Sequence, residues 1–313
     1  MPPTTPRKVA ITGATGFIGG ALVKALLSRG DEVRILSRRL RVSTGVYRGT
    51  KWFQGDLCNP VDPAFLDGVD FLYHLAAELG DPERMIDVNV RGTENLLGAA
   101  DGCVRRWIQL SSVGVYGPPT VPVVDEDTPP APENEYERTK LAADRLVEMA
   151  GKFNGMEFVI LRPSNVIGAE MRNGSVFSLI GAVRRKRYFH IGPRGAIATY
   201  VHVDDVVRAL VACQDAPTGR VYNLSSDCAW EALIDRIASC VGVRPPRLRI
   251  PAWPLRLAIR ALGRRVRLPL TSAGLASLTN RSRYPSDRIC QELGFTFTKP
   301  LPDAIGDLVK ATT

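Results

Sequence analysis

The chain has 313 residues, 45% of them hydrophobic, and 41 basic against 32 acidic side chains give a net charge of +9. That length and apolar content suffice for a full core in one large or two smaller domains, and they exclude a disordered or low-complexity chain. No uncharged stretch reaches the ~20 residues of a membrane span, and the apolar run behind the polar start Met1 to Lys8 is too short for a signal-peptide core, so a cytoplasmic location is expected. The six cysteines, Cys58, Cys103, Cys213, Cys228, Cys240 and Cys290, are scattered without a Cys-x-x-Cys. They read as reduced, buried thiols rather than a disulfide framework or a zinc site. Positive charge gathers at Arg38 to Arg41, Arg184 to Arg187 and Arg244 to Arg267. Such clusters fit phosphate-bearing ligands or an anionic surface; without aromatic-basic interleaving they argue against nucleic acid.

In chain order, Lys8 to Thr12 is a short apolar run that breaks into Gly13-Ala-Thr15-Gly16-Phe17-Ile18-Gly19, and Ala21 to Arg29 has the spacing of an amphipathic helix. Strand, glycine turn and helix in that order are what a dinucleotide pyrophosphate requires. Glycine permits the tight turn, and a helix N-terminus offers free amides and the positive end of its dipole. The next strand, Glu32 to Leu36, ends in Ser37-Arg38-Arg39. A carboxylate there would hold the free 2′-hydroxyl of NAD; a hydroxyl followed by guanidinium groups suits the 2′-phosphate of NADP instead. NADP is therefore expected, with NAD the alternative if Arg38 and Arg39 are plain surface charges.

Lys51 to Gln54 leads to Gly55-Asp56-Leu57, and Val69 to His74 leads to Leu75-Ala76-Ala77. Asp87 to Thr93, containing Asn89, opens a helix to Ala100, and Trp107 to Leu110 is a strand ending in Ser111-Ser112. Strands that end in small or polar residues present them at the edge where doubly wound sheets bind ligands. The alternation of β and α patterns from residue 8 to about 168 argues for a mostly parallel sheet with helices on both faces. Gly117 to Glu135 reads as a proline-rich loop over that edge. Tyr136 and Lys140 then open a helix running to Met149. Spacing of four puts phenol and ammonium on one helical face, where the cation favours the ionised phenol and makes it a usable acid and base. The plain alternative is a capping tyrosine and a solvated lysine.

Glu157 to Leu161 is a further strand, followed by Arg162-Pro163-Ser164-Asn165-Val166-Ile-Gly168. Residues 169–198 read as an excursion with a basic helix, Ser175 to Arg187. Tyr200-Val-His202-Val-Asp204-Asp205 starts a helix, and Arg220 to Leu224 is a strand returning to the main sheet. Helices are expected over Trp230 to Val241, Trp253 to Arg264 and Tyr284 to Leu293. The domains implied are 1–168 plus 199–226 for a dinucleotide and 169–198 plus 227–313 for substrate. From Trp253 onward, Leu255, Ile259, Leu262 and Val266 line one helical face and Arg256, Arg260, Arg264 and Arg267 a neighbouring one. That helix either packs into its domain or lies on an anionic membrane surface. Ser111 reads as structural, His74 and His202 as packed at strand ends, and no cluster indicates a metal.

With these residues assembled, the chain resembles the extended short-chain dehydrogenase/reductase family, also called the NAD-dependent epimerase/dehydratase family. The likeness rests on Thr12 to Gly19, Gly55 to Leu57, His74 to Ala77, Val88 to Thr93, Ser111 to Gly117, Tyr136-x-x-x-Lys140, Arg162 to Gly168 and Tyr200 to Asp205, in that order. It implies a Rossmann α/β fold, a doubly wound, mostly parallel sheet with a smaller, mainly helical C-terminal substrate domain, and a homodimer is expected. By the resemblance, Ser112 hydrogen-bonds the reacting oxygen, Tyr136 donates and accepts the proton, and Lys140 lowers the tyrosine pKa and holds the nicotinamide ribose. Gly13, Gly16 and Gly19 match the pyrophosphate turn, Asp56 and Leu57 the adenine contacts, and Ala76 and Asn89 cofactor-side positions. Thr15, Phe17, Ile18, Leu75, Ala77, Pro163, Asn165 and Val166 complete the expected cofactor set with Ser37 and Arg38. Family members acting on nucleotide sugars carry an arginine where this chain has Ala198, a departure that favours a small or lipid-like secondary alcohol or ketone, of the hydroxysteroid or dihydroflavonol kind. A nucleotide-sugar epimerase or dehydratase and a non-catalytic cofactor sensor stay open as alternatives.

Overall fold

The computed structural model of the protein describes residues 6–39, 45–171, 174–255, 257 and 272–311. Its strands, in chain order, are β1 (Lys8–Thr12), β2 (Glu32–Ser37), β3 (Lys51–Gln54), β4 (Val69–His74), β5 (Val104–Leu110), β6 (Glu157–Pro163), β7 (Asn165–Ile167), β8 (His190–Ile191), β9 (Ile197–His202), β10 (Arg220–Leu224), β11 (Ser226–Ala229) and β12 (Arg249–Ile250). Seven form one sheet in the order β3-β2-β1-β4-β5-β6-β10, and every pairing in it is parallel. The apolar runs of β1, β4 and β6 are buried on both faces, as a parallel sheet covered by helices requires. The order reverses between β1 and β4, where Thr12 lies opposite His74. A doubly wound sheet opens its ligand crevice at that point, outside the carboxyl ends of the strands.

The helices are α1 (Phe17–Ser28), α2 (Pro82–Met85), α3 (Gly92–Ala100), α4 (Glu135–Asn154), α5 (Ser175–Arg184), α6 (Val203–Ala212), α7 (Trp230–Cys240), α8 (Ser272–Thr279), α9 (Asp287–Leu293) and α10 (Ile305–Lys310). A π-helical turn, Ile86–Arg91, joins α2 to α3. On one face of the sheet Leu22 and Leu26 of α1 and Val206 and Leu210 of α6 pack against Ile11, Ile35 and Val159. On the other, Leu96 of α3 and Val147 of α4 cover Leu72, Trp107 and Ile160. A third cluster joins Val176 and Ile180 of α5, Trp230 and Ile234 of α7 and Leu308 of α10. Each such fully buried side chain contributes roughly 1.5 to 3 kcal/mol.

Several local expectations are corrected. Tyr200 to His202 lies in β9, and α6 begins only at Val203. Tyr200, Val201 and His202 all pair with β7, and Tyr200 also pairs with β11 on the other side, so the helix starts only after them, with Asp204 and Asp205 in its first turn. Tyr284 stands outside α9 because Pro285 disfavours helical backbone in the residue before it. Ile289 and Phe295, around α9, bury against the main sheet rather than the third cluster. All six cysteines are free, but Cys58, Cys103 and Cys240 are exposed and only Cys213 is fully buried; the exposed three sit in loops or at element ends. The apolar and basic stripes expected after Trp253 fall mostly on residues outside those described. Among the described residues no helix is long and apolar enough to cross a membrane, and no group of three or more His, Cys, Asp or Glu could hold a metal ion.

Candidate active site

The turn between β1 and α1 is shaped by close backbone approach, and the Tyr47 hydroxyl donates to its Ala14 carbonyl at 3.2 Å. Gly13 has φ +71°, and a Cβ placed there would lie 2.6 Å from the Ala76 amide nitrogen. At Gly19 a Cβ would lie 2.2 Å from the Gly13 carbonyl oxygen, so the first turn of α1 rests directly on the loop. Gly16 caps α1 without any side-chain hydrogen bond. The amides of that first turn, with Thr15 and Gly16 exposed and Phe17 and Ile18 half-buried beside them, are therefore left for an external anion. These residues fit the diphosphate of a dinucleotide: close backbone approach, unused donors and a positive dipole end.

A buried chain ties the turn to β4. His74 Nδ1 is 2.6 Å from Thr12 Oγ1 and Nε2 is 3.0 Å from Thr93 Oγ1, while Thr93 Oγ1 donates to the Asn89 carbonyl at 2.7 Å. With that hydroxyl proton engaged, Thr93 accepts from Nε2–H, and Nδ1 accepts from Thr12. Burial, reinforced by the Lys140 ammonium, pushes the imidazole down to about 3 and keeps it neutral. His74 thus packs at a strand end, as expected.

Helix α4 carries the phenol. Asn134 caps it through Oδ1, which accepts from the Glu137 amide at 2.9 Å, and the Glu137 carboxylate accepts from the Asn134 amide at 3.2 Å. Such a reciprocal box fixes the first turn, where Tyr136 sits, and a cap of this kind stabilises a helix by about 1 kcal/mol. Ser112 follows β5; its Oγ accepts from the Gly114 amide at 3.0 Å and caps the short turn Val113–Tyr116. The Ser112 hydroxyl is also close enough to the Tyr136 phenol to favour its ionised form. Loss of contact with water nevertheless pushes that phenol up to about 12.

Lys140 does not counter this as expected. It is 4% exposed and donates from Nζ to the Leu110 carbonyl at 2.5 Å. Burial lowers its pKa and Asp144, one turn further along α4, pulls it back up. The ammonium therefore serves the β5 carbonyl and Asp144, and burial governs the phenol. Asp144 accepts from Ser111 Oγ at 2.8 Å and from Arg162 Nε and Nη2 at 3.2 and 3.1 Å. Arg162 also donates to the Tyr116 hydroxyl, which donates to Asn223, both at 3.0 Å. Ser111 is thus engaged by Asp144 within the protein. The roles of Asp144 and Arg162 escape a reading of the sequence, although Asp144 follows Lys140 at the same spacing that links Lys140 to Tyr136.

The other expected residues lie at or just beyond the carboxyl ends of the strands. Ser37 ends β2 half-buried, with Arg38 exposed after it, and Ser37 Oγ accepts from the Arg39 amide at 3.2 Å. Asp56 follows β3 and accepts from the Cys58 amide at 3.1 Å, while Leu57 packs into the core. Leu75, Ala76 and Ala77 are half-buried after β4. Pro163 is buried at the end of β6, Val166 is half-buried, and exposed Asn165 donates to the Thr199 carbonyl at 3.2 Å. Asn89 has its amide engaged within the protein: Oδ1 accepts from the Glu78 amide at 2.7 Å, and Nδ2 donates to the Glu78 carbonyl at 3.1 Å and Thr139 Oγ1 at 3.0 Å. It clamps the loop after β4 to α4.

The family model described as NAD dependent epimerase/dehydratase family matches residues 9–225. Among curated relatives, a dTDP-6-deoxy-L-talose 4-dehydrogenase (NAD(P)(+)) of Kitasatospora kifunensis is 30% identical over 80% of this chain and 84% of its own. The sterol demethylase protein B of Methylococcus capsulatus is 32% identical over 77% and 76%. A 4-hydroxy-2-methyl-3-oxo-4-farnesyl-3,4-dihydroquinoline-1-oxide ketoreductase of Stigmatella aurantiaca is 29% identical over 91% and 90%. The solved structure of MoeE5 in complex with UDP-glucose and NAD superposes with a TM-score of 0.74 at 27% identity, covering 97% of this chain and 98% of that one.

Proposed function

The chain belongs to the NAD dependent epimerase/dehydratase family and is an enzyme of it, and on that footing we propose an oxidoreductase that interconverts a secondary alcohol and a ketone on a small, lipid-like substrate. The observation that carries this reading is Ser112 lying close beside Tyr136 at the ligand edge of the sheet, with the uncapped glycine turn at the same edge. When bound, the nicotinamide supplies or accepts the hydride. Tyr136 moves the accompanying proton to or from the substrate oxygen, and Ser112 orients that oxygen. Lys140, through the Leu110 carbonyl, keeps α4 against β5 and remains available to a ribose hydroxyl. The glycine turn holds the diphosphate, and Ser37 with Arg38 favours NADP over NAD. In the same proposal the dinucleotide lies on 1–168 plus 199–226, substrate on the remainder, and the enzyme works as a cytoplasmic homodimer.

The lipid-like substrate is supported by Ala198, whose side chain is fully buried and faces Cys228 across β9 and β11. Tyr200, two residues on, packs 6.4 Å from Trp230. Ala198 offers no charge to a diphosphate. Relatives named for a sterol and for a farnesylated ketone agree with this reading. The second reading, a nucleotide-sugar epimerase or dehydratase, is favoured in its substrate class by the relative named for a dTDP-sugar and by UDP-glucose in MoeE5.

The deciding experiment incubates the protein with NADP or NAD and a panel of hydrophobic ketones and alcohols alongside UDP- and dTDP-sugars. Net change in nicotinamide absorbance with the apolar substrates is the expected result. Sugar conversion without net redox change would establish the second reading instead. Cofactor binding with no turnover on any substrate would leave a cofactor sensor.

A further inference from the structure

A second concave site lies away from the residues assigned above and shares none of them. Helix α5 ends in a tight turn in which the Lys186 amide donates to the Val183 carbonyl and the Arg187 amide to the Ala182 carbonyl, both at 2.9 Å. Lys186 holds φ +57° there, a left-handed position that glycine would take without strain. Opposite, β12 pairs with β8, and the His190 amide donates to the Leu248 carbonyl at 2.8 Å, fixing the segment that leads into β12. Between them opens a cavity of about 530 Å³, lined by Lys186, Tyr188, Arg244, Arg247 and Leu248 among others. The Tyr188 hydroxyl accepts from Trp230 Nε1 at 2.8 Å and is thereby anchored to α7.

Its charge is uncompensated. Among the described residues none of Lys186, Arg244 and Arg247 belongs to an ion pair, whereas Arg249 is held to Glu231 at 2.7 Å and Arg236 to Asp303 at 3.4 Å. Residues 236–286 contain eleven arginines and neither aspartate nor glutamate, and residues 175–203 also lack an acid. The same segment exposes large apolar side chains: Leu248 is 65%, Trp253 66% and Leu257 57% exposed. Cations in a stretch of sequence free of acids attract an anionic surface, and exposed tryptophan and leucine in the same stretch are what enters the headgroup layer of a bilayer. A nucleic acid would use the cations but gives exposed leucines nothing to bury.

We propose that this surface docks the protein on an anionic phospholipid bilayer, with Lys186, Arg244 and Arg247 receiving a lipid phosphate and Leu248, Trp253 and Leu257 entering the interface. The contact is independent of what the candidate active site turns over, and vesicle binding is measured without substrate or cofactor.

The experiment sediments the full chain with vesicles of phosphatidylcholine alone and of phosphatidylcholine mixed with phosphatidylglycerol, at low and at high salt. Pelleting only with the mixed vesicles, and release by salt, is expected. Each cation removed should lower partitioning about fivefold, so Arg244→Gln with Arg247→Gln should lower it about 30-fold. Lys186→Gly removes a charge while relieving the left-handed backbone, so its loss of binding cannot come from misfolding. Trp253→Ala should weaken vesicle binding as well. Absence of pelleting, equal pelleting with neutral vesicles, or binding unchanged in these variants overturns the proposal. So does calorimetric binding of inorganic phosphate without vesicle binding, or binding of duplex DNA that matches the vesicles in strength and ignores Trp253→Ala.

Discussion

As built, Tyr136 is better placed to give a proton than to take one. A free phenol titrates near 10, and burial pushes this one up to about 12. Holding it as phenolate at pH 8 therefore costs ~5 kcal/mol at 1.36 kcal/mol per unit, against ~3 kcal/mol for a free phenol. Reduction of a ketone uses the protonated form, which is almost fully populated below about pH 10, so its initial rate should be level from about pH 6 to 9. Oxidation of the alcohol needs the phenolate, whose population rises with pH, so its initial rate should climb roughly tenfold per pH unit over that window. Tyr136→Phe should lower both directions by roughly two to four orders of magnitude and flatten the oxidation profile. The assay follows nicotinamide absorbance in both directions with one alcohol–ketone pair at constant ionic strength. A level oxidation profile in the wild type would refute control of the phenol by burial and would mean that Lys140 leaves the Leu110 carbonyl to sit beside it. Wild-type turnover by Tyr136→Phe would remove the residue from the chemistry altogether.

Gly13→Ala should place a methyl 2.6 Å from a backbone nitrogen at φ +71°, straining the turn by roughly 1 to 3 kcal/mol; calorimetry should show lost dinucleotide affinity, and unchanged affinity would contradict the backbone cradle. Arg38→Ala should weaken NADP binding by about 1.5 to 3 kcal/mol and leave NAD binding nearly as it was; equal affinity of the wild type for both cofactors sinks the NADP preference. Asn89→Ala leaves three partners, the Glu78 amide and carbonyl and the Thr139 hydroxyl, without their bonds and should lower stability by about 3 kcal/mol at roughly 1 kcal/mol each, measured by denaturant unfolding. A loss below ~0.5 kcal/mol would show that Asn89 is not the clamp between the β4 loop and α4.

What the sequence determined by itself was local: which runs become strands, where glycine must break them, and that Tyr136 and Lys140 share a helix face. Apolar periodicity and turn chemistry act over a few residues, so Lys8 to Gly19 and Tyr136 to Lys140 could be read directly. Short range also explains the errors. Asp204 and Asp205 do mark the first turn of α6, but Tyr200 to His202, expected to open that helix, form a strand because they pair with strands distant in sequence. The exposed cysteines followed from loop placement that composition does not carry. Only the tertiary structure decided where the Lys140 ammonium points, because the Leu110 carbonyl that receives it is brought there by α4 packing beside β5 and β6. It alone assembled Ser111, Asp144, Arg162, Tyr116 and Asn223, which come from separate elements. A carboxylate in mid-helix reads as solvated until the sheet lays an arginine against it, and the parallel register that does so spans the chain from β5 through β6 to β10.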